Sequence, residues 1–250
     1  MILTGKVAIV TGGAQGIGRA TVDRFAEAGA AGVVVADVQA PQAEAAAREI
    51  MEKHAAAVLP VPTDVSEPEQ VEALVRATIE RFGQVDILVN NAGICPAVAW
   101  DDVTLESWNR LLAINLTSMF LCTRAVIPGM KSRHYGRIVY VSSEAAFDGS
   151  YVAHVAYGVT KAGILALMKS VAKGFAADGI LANAVAPGAV ETPLSESLGP
   201  AFATAFDQRT LLKRHASAGE IANAILFLAS DLSSYVTGQV LRVNGGSDLT

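Results

Sequence analysis

Tyr157 and Lys161 are spaced so that a phenol and an ammonium could act on the same proton. They stand four residues apart in a stretch whose apolar pattern predicts a helix over 154–177, so both side chains fall on one face. At a separation of about 5 Å and an effective dielectric of about 20, Coulomb's law gives roughly 3.3 kcal/mol between phenolate and ammonium. That attraction should lower the pKa of the phenol and make Tyr157 a general base at neutral pH. From the spacing alone an ordinary helix surface is the simpler interpretation, and the motifs below decide against it.

Two further polar residues stand where they could act on a substrate. Ser143 follows the β-branched run 138–141, where its hydroxyl could donate to a substrate oxygen and stabilise developing negative charge. A turn or a cap is the ordinary alternative for such a serine. Asn115 lies among apolar residues on one face of a predicted helix, at a free-energy cost that hydrogen bonds must recover. Either a catalytic or a structural network could recover it.

A glycine-rich segment, Thr-Gly-Gly-Ala-Gln-Gly-Ile-Gly at 11–18, lies between the first predicted strand and the first predicted helix. In that context glycines let the backbone approach a pyrophosphate at a helix N-terminus. A tight turn explains Gly12 but gives no reason for Gly16 and Gly18. The segment therefore predicts a dinucleotide-binding turn, with Gly12, Gln15, Gly16, Ile17 and Gly18 against the cofactor.

Asp37 ends the second predicted strand about 20 residues past the glycines, where a carboxylate accepts hydrogen bonds from the adenosine ribose. It would repel the extra phosphate of NADP, and neither Gln15 nor Val38 supplies a compensating cation. We therefore expect NAD, with a solvated aspartate at a strand end as the alternative. Asp64, after the third predicted strand, could face the same cofactor or cap the next helix.

Short apolar runs alternate with amphipathic segments along the chain. The runs are apolar at successive residues, as in strands buried on both faces of a parallel sheet. Strands are expected at 7–10, 33–35, 58–61, 87–89, 138–141, 184–186 and 240–243, and helices at 16–28, 41–54, 67–82, 104–131, 154–177 and 217–229. Ser66, Thr104 and Ser217 are the expected N-caps. No linker or repeat interrupts the rhythm, so residues 1–250 are predicted to form a single α/β domain.

Composition excludes several classes of protein. The 250 residues are 52% hydrophobic and 17% charged, and 19 Lys and Arg against 24 Asp and Glu give a net charge of −5. This balance argues against a nucleic-acid partner. Two cysteines without a CxxC pair and four scattered histidines argue against a disulfide scaffold and against a metal site. With no leader-like N-terminus and no apolar run of about 18 residues, we expect no membrane span and a cytoplasmic location.

The motifs together resemble those of the short-chain dehydrogenase/reductase family. Besides 11–18, the chain has in family order Asn90-Asn91-Ala92-Gly93, Asn115, Ser143, Tyr157 with Lys161, Pro187-Gly188 and Val243-Asn244-Gly245-Gly246. The resemblance implies one doubly wound Rossmann fold, with a seven-stranded parallel sheet, helices on both faces and the active site at the carboxyl ends of the strands. The Ser143-to-Tyr157 spacing, 157 minus 143 or 14, is one residue longer than is common in the family. Ser142 is the only other nearby candidate for the serine.

The resemblance also implies roles for individual residues. Asn115, Ser143, Tyr157 and Lys161 would be catalytic without a metal, with Asn115 ordering a water that links Lys161 to solvent. Thr192 would hold the nicotinamide carboxamide, although it could also cap a helix before Pro193. The implied cofactor contacts beyond the glycine-rich turn and Asp37 are Asp64, Val65, Asn91, Ala92, Gly93, Tyr157, Lys161, Pro187, Gly188, Val190 and Thr192.

The expected activity is hydride transfer between NAD and a secondary alcohol or ketone, with Tyr157 handling the proton. The pocket rim at 94–100, 144–154 and 194–206 is mostly apolar and has no Arg or Lys to meet a phosphate or coenzyme A. We therefore expect a hydrophobic cyclic or aryl alcohol, in keeping with a local similarity to bacterial aryl-alkyl alcohol dehydrogenases of the family. Open alternatives are an NADPH-linked 3-oxoacyl-thioester reductase, a polyol or sugar dehydrogenase, and a non-catalytic NADH-sensing Rossmann protein. The expected substrate contacts are Cys95, Ser143, Glu144, Tyr151, His154, Leu194 and Phe206.

The helices predicted at 104–131 and 154–177 carry apolar residues on two faces. Because a sheet covers only one face, the other should pair with a second copy across a two-fold axis, an arrangement the family resemblance also implies. The C-terminal run could supply a second interface, which predicts a homotetramer. A loop covering the second face is the alternative. The residues of that face are Leu111, Ile114, Leu121, Ala125, Leu165 and Ala172.

Overall fold

The computed structural model describes residues 1–149, 153–196 and 209–249. Its strands, in chain order, are β1 (Val7–Thr11), β2 (Gly32–Asp37), β3 (Val58–Pro62), β4 (Ile87–Asn90), β5 (Gly136–Val141), β6 (Ile180–Pro187), β7 (Val190–Glu191), β8 (Ala216–Ser217) and β9 (Val240–Val243). Seven of them form one parallel sheet in the order β3-β2-β1-β4-β5-β6-β9, and β7 pairs with β8. The expected α/β fold with a seven-stranded parallel sheet is confirmed.

Helices connect the strands and cover both faces of the sheet. They are α1 (Gly16–Glu27), α2 (Ala40–His54), α3 (Pro68–Phe82), α4 (Leu105–Leu112), α5 (Ser118–Ser132), α6 (Ala145–Asp148), α7 (Ala156–Phe175), α8 (Pro193–Glu196) and α9 (Ala218–Ala229). The short elements α6, α8, β7 and β8 have too few residues to leave a periodic pattern in the sequence.

The apolar runs are continuous because successive strand residues enter two different cores. Val10 and Val35 pack into the core that includes Phe25 of α1. Ile9 and Val34 face the opposite core, which includes Met168 of α7. Full burial of such a side chain contributes about 1.5–3 kcal/mol, so both layers hold the sheet in register.

The helix expected at 104–131 is not a single α-helix. A π-helical turn, Ala113–Thr117, separates α4 from α5. The turn inserts i→i+5 bonding and shifts the phase of the apolar pattern. Asn115, at its centre, is completely buried.

Two of the three expected N-caps are confirmed. Thr104 and Ser217 each form a capping box, with Ser107 and Glu220 respectively. The prediction that Ser66 is an N-cap was wrong, because the N-cap of α3 is Glu67, one residue later. The Ser66 hydroxyl instead donates to Asp64 Oδ1 at 2.6 Å.

The second apolar face of the long helices is covered largely within one chain, contrary to our expectation. Leu111, Leu121, Leu165 and Ala172 are all buried without a partner. Leu121, Leu165 and Ala172 belong to the core between the sheet and these helices, and α3 packs against α5. Phe120 of α5, Val159 of α7 and Leu105 of α4 remain exposed instead.

Among the described residues one helical stretch, Leu105–Ser132, is long and apolar enough to cross a membrane by length and composition. Leu111, Met119 and Met130 within it are buried in this fold. The π turn also interrupts it. We interpret it as an interior helix of the α/β layer.

The sheet reverses its strand order next to β1, where β2 lies on one side and β4 on the other. In open parallel sheets the helices leave this point in opposite directions, and a crevice forms at the carboxyl ends of the strands. The loops after β1, β2, β4 and β5 therefore converge on one cavity.

Candidate active site

A cavity of about 680 Å³ lies at the carboxyl ends of the strands and brings most of the predicted site together. Its wall includes Ser143, Tyr157, Lys161, Glu144, Cys95, Leu194, Gly12, Gln15, Gly16, Ile17, Asp37, Asp64, Val65, Asn91, Ala92, Gly93, Pro187, Gly188, Val190 and Thr192. Asn115, Gly18 and His154 are not on this wall. Tyr151 and Phe206 lie outside the described residues.

In the glycine-rich turn, a side chain in place of glycine would collide with neighbouring backbone atoms. Gly12 has a φ of 63°, and a Cβ there would lie 2.9 Å from Ala92 Cα. The side-chain amide of Asn91 donates to the carbonyl oxygens of Thr11 and Gly12 at 2.9 and 3.0 Å. The loop after β4 therefore fixes the turn after β1.

Gly18 is a packing residue, contrary to the expected cofactor contact. A Cβ on Gly18 would lie 2.0 Å from the carbonyl oxygen of Gly12. Close approach of α1 to the turn therefore explains this glycine without a ligand. Gly16, with a φ of 55°, does line the cavity and faces the methyl group of Thr192.

The Asp37 carboxylate is held at the end of β2. Its Oδ2 accepts from Ala14 N and its Oδ1 from Gln39 N, both at 3.0 Å. Each oxygen keeps a lone pair for a ribose hydroxyl. Of the described cavity-wall residues in the neighbouring segments 12–17, 36–39 and 63–65, none is Arg or Lys.

Asp64 takes one of the two roles left open by the sequence, because it does not cap the next helix, whose N-cap is Glu67. Its Oδ1 accepts from the backbone N and the hydroxyl of Ser66, at 2.9 and 2.6 Å. The residue also lines the cavity, next to the buried Val65. The local turn thus holds both residues against the cavity wall, near Asp37.

Lys161 and Tyr157 meet as the helical spacing predicted. Lys161 Nζ lies 5.5 Å from the centroid of the Tyr157 ring and donates to the carbonyl oxygen of Val141 at 2.9 Å. Burial lowers the pKa of Lys161 to about 8. The ammonium is therefore less firmly charged than the sequence argument assumed.

The pKa of Tyr157 shifts in the opposite direction from our expectation. Burial of the phenol raises its pKa above the ordinary value, Cys95 adds to the rise, and a hydrogen bond with Ser143 lowers it only in part. Desolvation outweighs this hydrogen bond because the enclosing walls remove water from the phenol. In the protein alone, Tyr157 is a proton donor at neutral pH.

The alternative between Ser142 and Ser143 is decided by where the hydroxyls point. Ser142 is buried, and its Oγ donates to the carbonyl oxygen of Lys161 at 2.8 Å. Ser143 instead bonds the Tyr157 side chain, and its Oγ accepts from Ala145 N at 3.2 Å. The geometry supports Ser143 as the substrate-facing serine.

Asn115 clamps the loop after β4. Its Oδ1 accepts from Ile94 N and its Nδ2 donates to Ile94 O, both at 2.9 Å. A Cβ on Gly93 would lie 3.3 Å from Asn115 Oδ1 and 3.8 Å from Lys161 Nζ. The amide therefore holds backbone beside Lys161, which is the structural network that the sequence left open.

The loop after β6 forms the opposite wall. Thr192 Oγ1 accepts from Ser195 N at 3.3 Å and so caps α8, as the alternative interpretation expected. Ser195 Oγ donates to Val190 O at 2.6 Å. A Cβ on Gly188 would meet Asn244 Cα at 3.0 Å, so this glycine allows the C-terminal segment to approach.

The substrate end differs from the expectation in two contacts. His154 is completely buried; its Nδ1 accepts from Ala156 N and its Nε2 bonds Ser107 Oγ, so the ring joins α7 to α4. Glu144 is on the wall, but both its carboxylate oxygens are bonded by Arg242.

Cys95 is buried on the wall, and burial raises the pKa of its thiol to about 11. This thiol is an apolar contact at neutral pH.

Two cations missed by the sequence analysis line the cavity, Arg110 and Arg209. Arg209 lies 3.3 Å from the Asp148 carboxylate. Arg110 is exposed and has no hydrogen bond or ion pair within the described parts of the chain. Its spacing of four from Ile114, another wall residue, is the signal that could have revealed it. Both arginines lie outside the three segments predicted as the rim, so the cavity wall carries positive charge that those segments lack.

Comparisons with known proteins agree with this geometry. The family model described as enoyl-(acyl carrier protein) reductase matches residues 12–248. The chain is 38% identical to a 3-oxoacyl-(acyl-carrier-protein) reductase of Aquifex aeolicus, over 98% of both chains. It is also 38% identical to the (2S)-[(R)-hydroxy(phenyl)methyl]succinyl-CoA dehydrogenase subunit of Thauera aromatica, over 100% of this chain and 99% of that one. The crystal structure of levodione reductase superposes with a TM-score of 0.93 at 36% identity, covering 98% of each chain.

The chain belongs to the short-chain dehydrogenase/reductase family, as its motifs predicted. It is therefore an oxidoreductase of a family that uses a nicotinamide cofactor and acts on small molecules. The glycine-rich turn and the carboxylate oxygens of Asp37 fit such a cofactor.

Proposed function

We propose that this enzyme interconverts a 3-hydroxyacyl and a 3-oxoacyl thioester with NAD(H). The observation that carries the reaction type is the contact of Ser143, Tyr157 and Lys161 on one cavity wall. NAD is proposed because Asp37 presents a carboxylate, without a lining Arg or Lys in its neighbouring segments, where NADP carries a phosphate.

The residues would divide the chemistry as follows. Gly12, Gly16 and Asp37 would hold the dinucleotide, which when bound supplies or accepts the hydride. The Ser143 hydroxyl would donate a hydrogen bond to the substrate oxygen. Tyr157 would give that oxygen a proton during reduction, and the Lys161 ammonium would stabilise the phenolate left behind.

The thioester is favoured over our first expectation by the substrate end of the cavity. Arg110 provides an exposed cation at the wall, suited to a phosphate or carboxylate on the acyl carrier. Two relatives are named for acyl thioesters, one on acyl carrier protein and one on coenzyme A. These observations replace the uncharged alcohol as the leading substrate.

A neutral cyclic or aryl secondary alcohol is the second candidate. Ile94, Cys95, Ile114 and Leu194 supply apolar wall, and a structural neighbour is named levodione reductase. A polyol would find few uncommitted polar groups there. A non-catalytic NADH sensor would have no use for the Ser143 and Tyr157 pair.

The test compares substrates that differ in charge. Acetoacetyl-CoA, its uncharged N-acetylcysteamine analogue and a cyclic diketone are reduced with NADH and with NADPH, in the wild type and in Arg110→Met. We expect acetoacetyl-CoA to give the highest kcat/KM, and Arg110→Met to lower it about tenfold, which is about 1.4 kcal/mol. The uncharged analogue should change little.

Arg48→Met is the matched control, because Arg48 is an exposed arginine of α2 that does not line the cavity. A diketone that outperforms both thioesters would favour the second candidate. NADH binding without any turnover would favour the sensor.

We further propose a homotetramer in the cytoplasm. Family members are commonly oligomeric. Exposed apolar residues lie on α5 and α7, at Phe120 and Val159, and near the C-terminus, at Tyr235 and Leu241. Two separate surfaces of this kind support two interfaces.

A further inference from the structure

The Glu144 carboxylate lies next to Ser143 in sequence and has no part in the proton or hydride steps above. Its side chain is 9% exposed. Arg242 Nε donates to Glu144 Oε1 at 3.0 Å, and Arg242 Nη2 donates to Oε2. A buried carboxylate is thus satisfied by a guanidinium that lies 98 residues away in sequence.

Arg242 joins the loop after β5 to β9, the edge strand that lies two strands away from β5. It lies on β9 in register with Ala186 of β6. Its guanidinium also bonds the Asp248 carboxylate and lies 4.3 Å from the centroid of the Phe147 ring. The side chain therefore holds the Ser143 loop, α6 and the C-terminal segment together.

The orientation of Ser143 depends on this loop. Ser143 Oγ accepts from Ala145 N at 3.2 Å, and Glu144 N donates to Pro187 O at 3.0 Å. The Glu144 side chain adds a long-range anchor to these bonds. We propose that Glu144 and Arg242 are positioning residues, which hold the Ser143 hydroxyl against Tyr157 and the substrate oxygen. The kinetic part of this inference rests on the proposed function.

A buried ion pair gives the proposal a distinctive signature. The variants are Glu144→Gln, Arg242→Met and the two combined. Arg242→Met leaves the buried Glu144 carboxylate without its cation, whereas Glu144→Gln leaves Arg242 still paired with Asp248. All three variants lose the link that holds the loop, and Arg242→Met alone also leaves an uncompensated buried charge.

Hydrogen exchange measured by mass spectrometry tests the loop without any substrate. In both single variants and in the double variant the amides of residues 143–146 should exchange about tenfold faster than in the wild type, because each variant lacks the pair that holds the loop. Asp248→Asn is the matched control, since it removes the other carboxylate on the same guanidinium. Unchanged exchange in Glu144→Gln, or an equal effect of Asp248→Asn, would overturn the proposal.

Kinetics test whether the pair acts through Ser143. Glu144→Gln should lower kcat about tenfold, while NADH affinity stays within about twofold. In a Ser143→Ala background the same substitution should cost nothing further, because the hydroxyl it positions is gone. Equal losses in both backgrounds would show an action independent of Ser143 and overturn the proposal. If the wild type reduced no ketone, the proposed function would fail, and the exchange result would still decide on the pair.

Discussion

At Tyr157, burial and the Ser143 hydrogen bond act on the pKa of the phenol in opposite directions, and burial is the stronger. The pKa of Tyr157 is raised and that of Lys161 is lowered to about 8. Below that pH the lysine is charged and the phenol is protonated. The free protein is therefore arranged for proton donation, the direction that ketone reduction requires.

The first prediction is the pH dependence of ketone reduction at saturating NADH. Tyr157 stays protonated across about pH 6–9, so of the Tyr157 and Lys161 pair it is the lysine that titrates in that range. As pH rises through about 8 the ammonium loses its proton, and kcat/KM should fall because the phenolate loses its stabilising charge. Alcohol oxidation needs the phenolate, so it should become faster with rising pH until the lysine is neutral.

Two variants control this profile. Tyr157→Phe should abolish turnover while NADH still binds in a fluorescence titration, because only the proton donor is removed. Lys161→Arg keeps its charge at higher pH. In whatever activity this variant retains, the decrease in kcat/KM should therefore occur at a higher pH. A reduction profile that rises through pH 8 would contradict the assignment.

The second prediction concerns cofactor choice at Asp37. Charge repulsion should make NADH bind at least about tenfold more tightly than NADPH. Asp37→Asn removes the charge and keeps a side-chain oxygen that can still accept from Ala14 N or Gln39 N. NADPH affinity should then rise about tenfold in a fluorescence titration, whereas Asp64→Asn should have a smaller effect. Equal affinities for the two cofactors in the wild type would refute the role given to Asp37.

At the level of the elements, the π turn between α4 and α5 positions a residue that fixes the loop after β4. It places Asn115 where its amide satisfies both backbone groups of Ile94. The loop after β4 is thereby fixed beside Lys161. A continuous α-helix would have kept the apolar stripe in phase and directed a different residue toward Ile94.

The third prediction is the stability cost of removing that amide. Asn115→Ala leaves the partly buried N–H and C=O of Ile94 unpaired, so the free energy of unfolding should drop by about 2–4 kcal/mol in urea titrations. Asn109→Ala is the control, since Asn109 is an exposed residue of α4. A loss smaller than about 1 kcal/mol would mean that water replaces the amide without penalty.

At the level of the whole molecule, burial within one chain limits the surface available for assembly. The apolar face that the sequence assigned to a second copy is mostly internal, and Phe120 and Val159 are the exposed apolar residues of α5 and α7. An interface on these helices must therefore bury fewer apolar residues than the sequence suggested. It should also be more sensitive to single charges.

The fourth prediction is the mass in solution. Light scattering should give four times 25.9 kDa for the wild type, and Phe120→Asp combined with Val159→Asp should give half of that or less. Leu232→Asp is the control, because Leu232 is an exposed residue beyond α9. It shows whether a charge outside the expected interface changes the mass. A wild-type mass near 25.9 kDa would reject the assembly.

The sequence by itself determined the sheet, the glycine-rich turn and the meeting of Tyr157 with Lys161. These features depend on local rules: strands buried on both faces are apolar at successive residues, and helical spacing places residues four apart on one face. Asp37 belongs with them, because its place at the end of β2 follows from the strand alone.

Only the tertiary structure decided how these groups behave. The direction of the Tyr157 pKa depends on which walls exclude water from the phenol. Glu144 became a partner of Arg242, and His154 a buried link to Ser107, through contacts 98 and 47 residues apart in sequence. Desolvation and long-range pairing are set by whatever encloses a group, and no spacing along the chain encodes that enclosure.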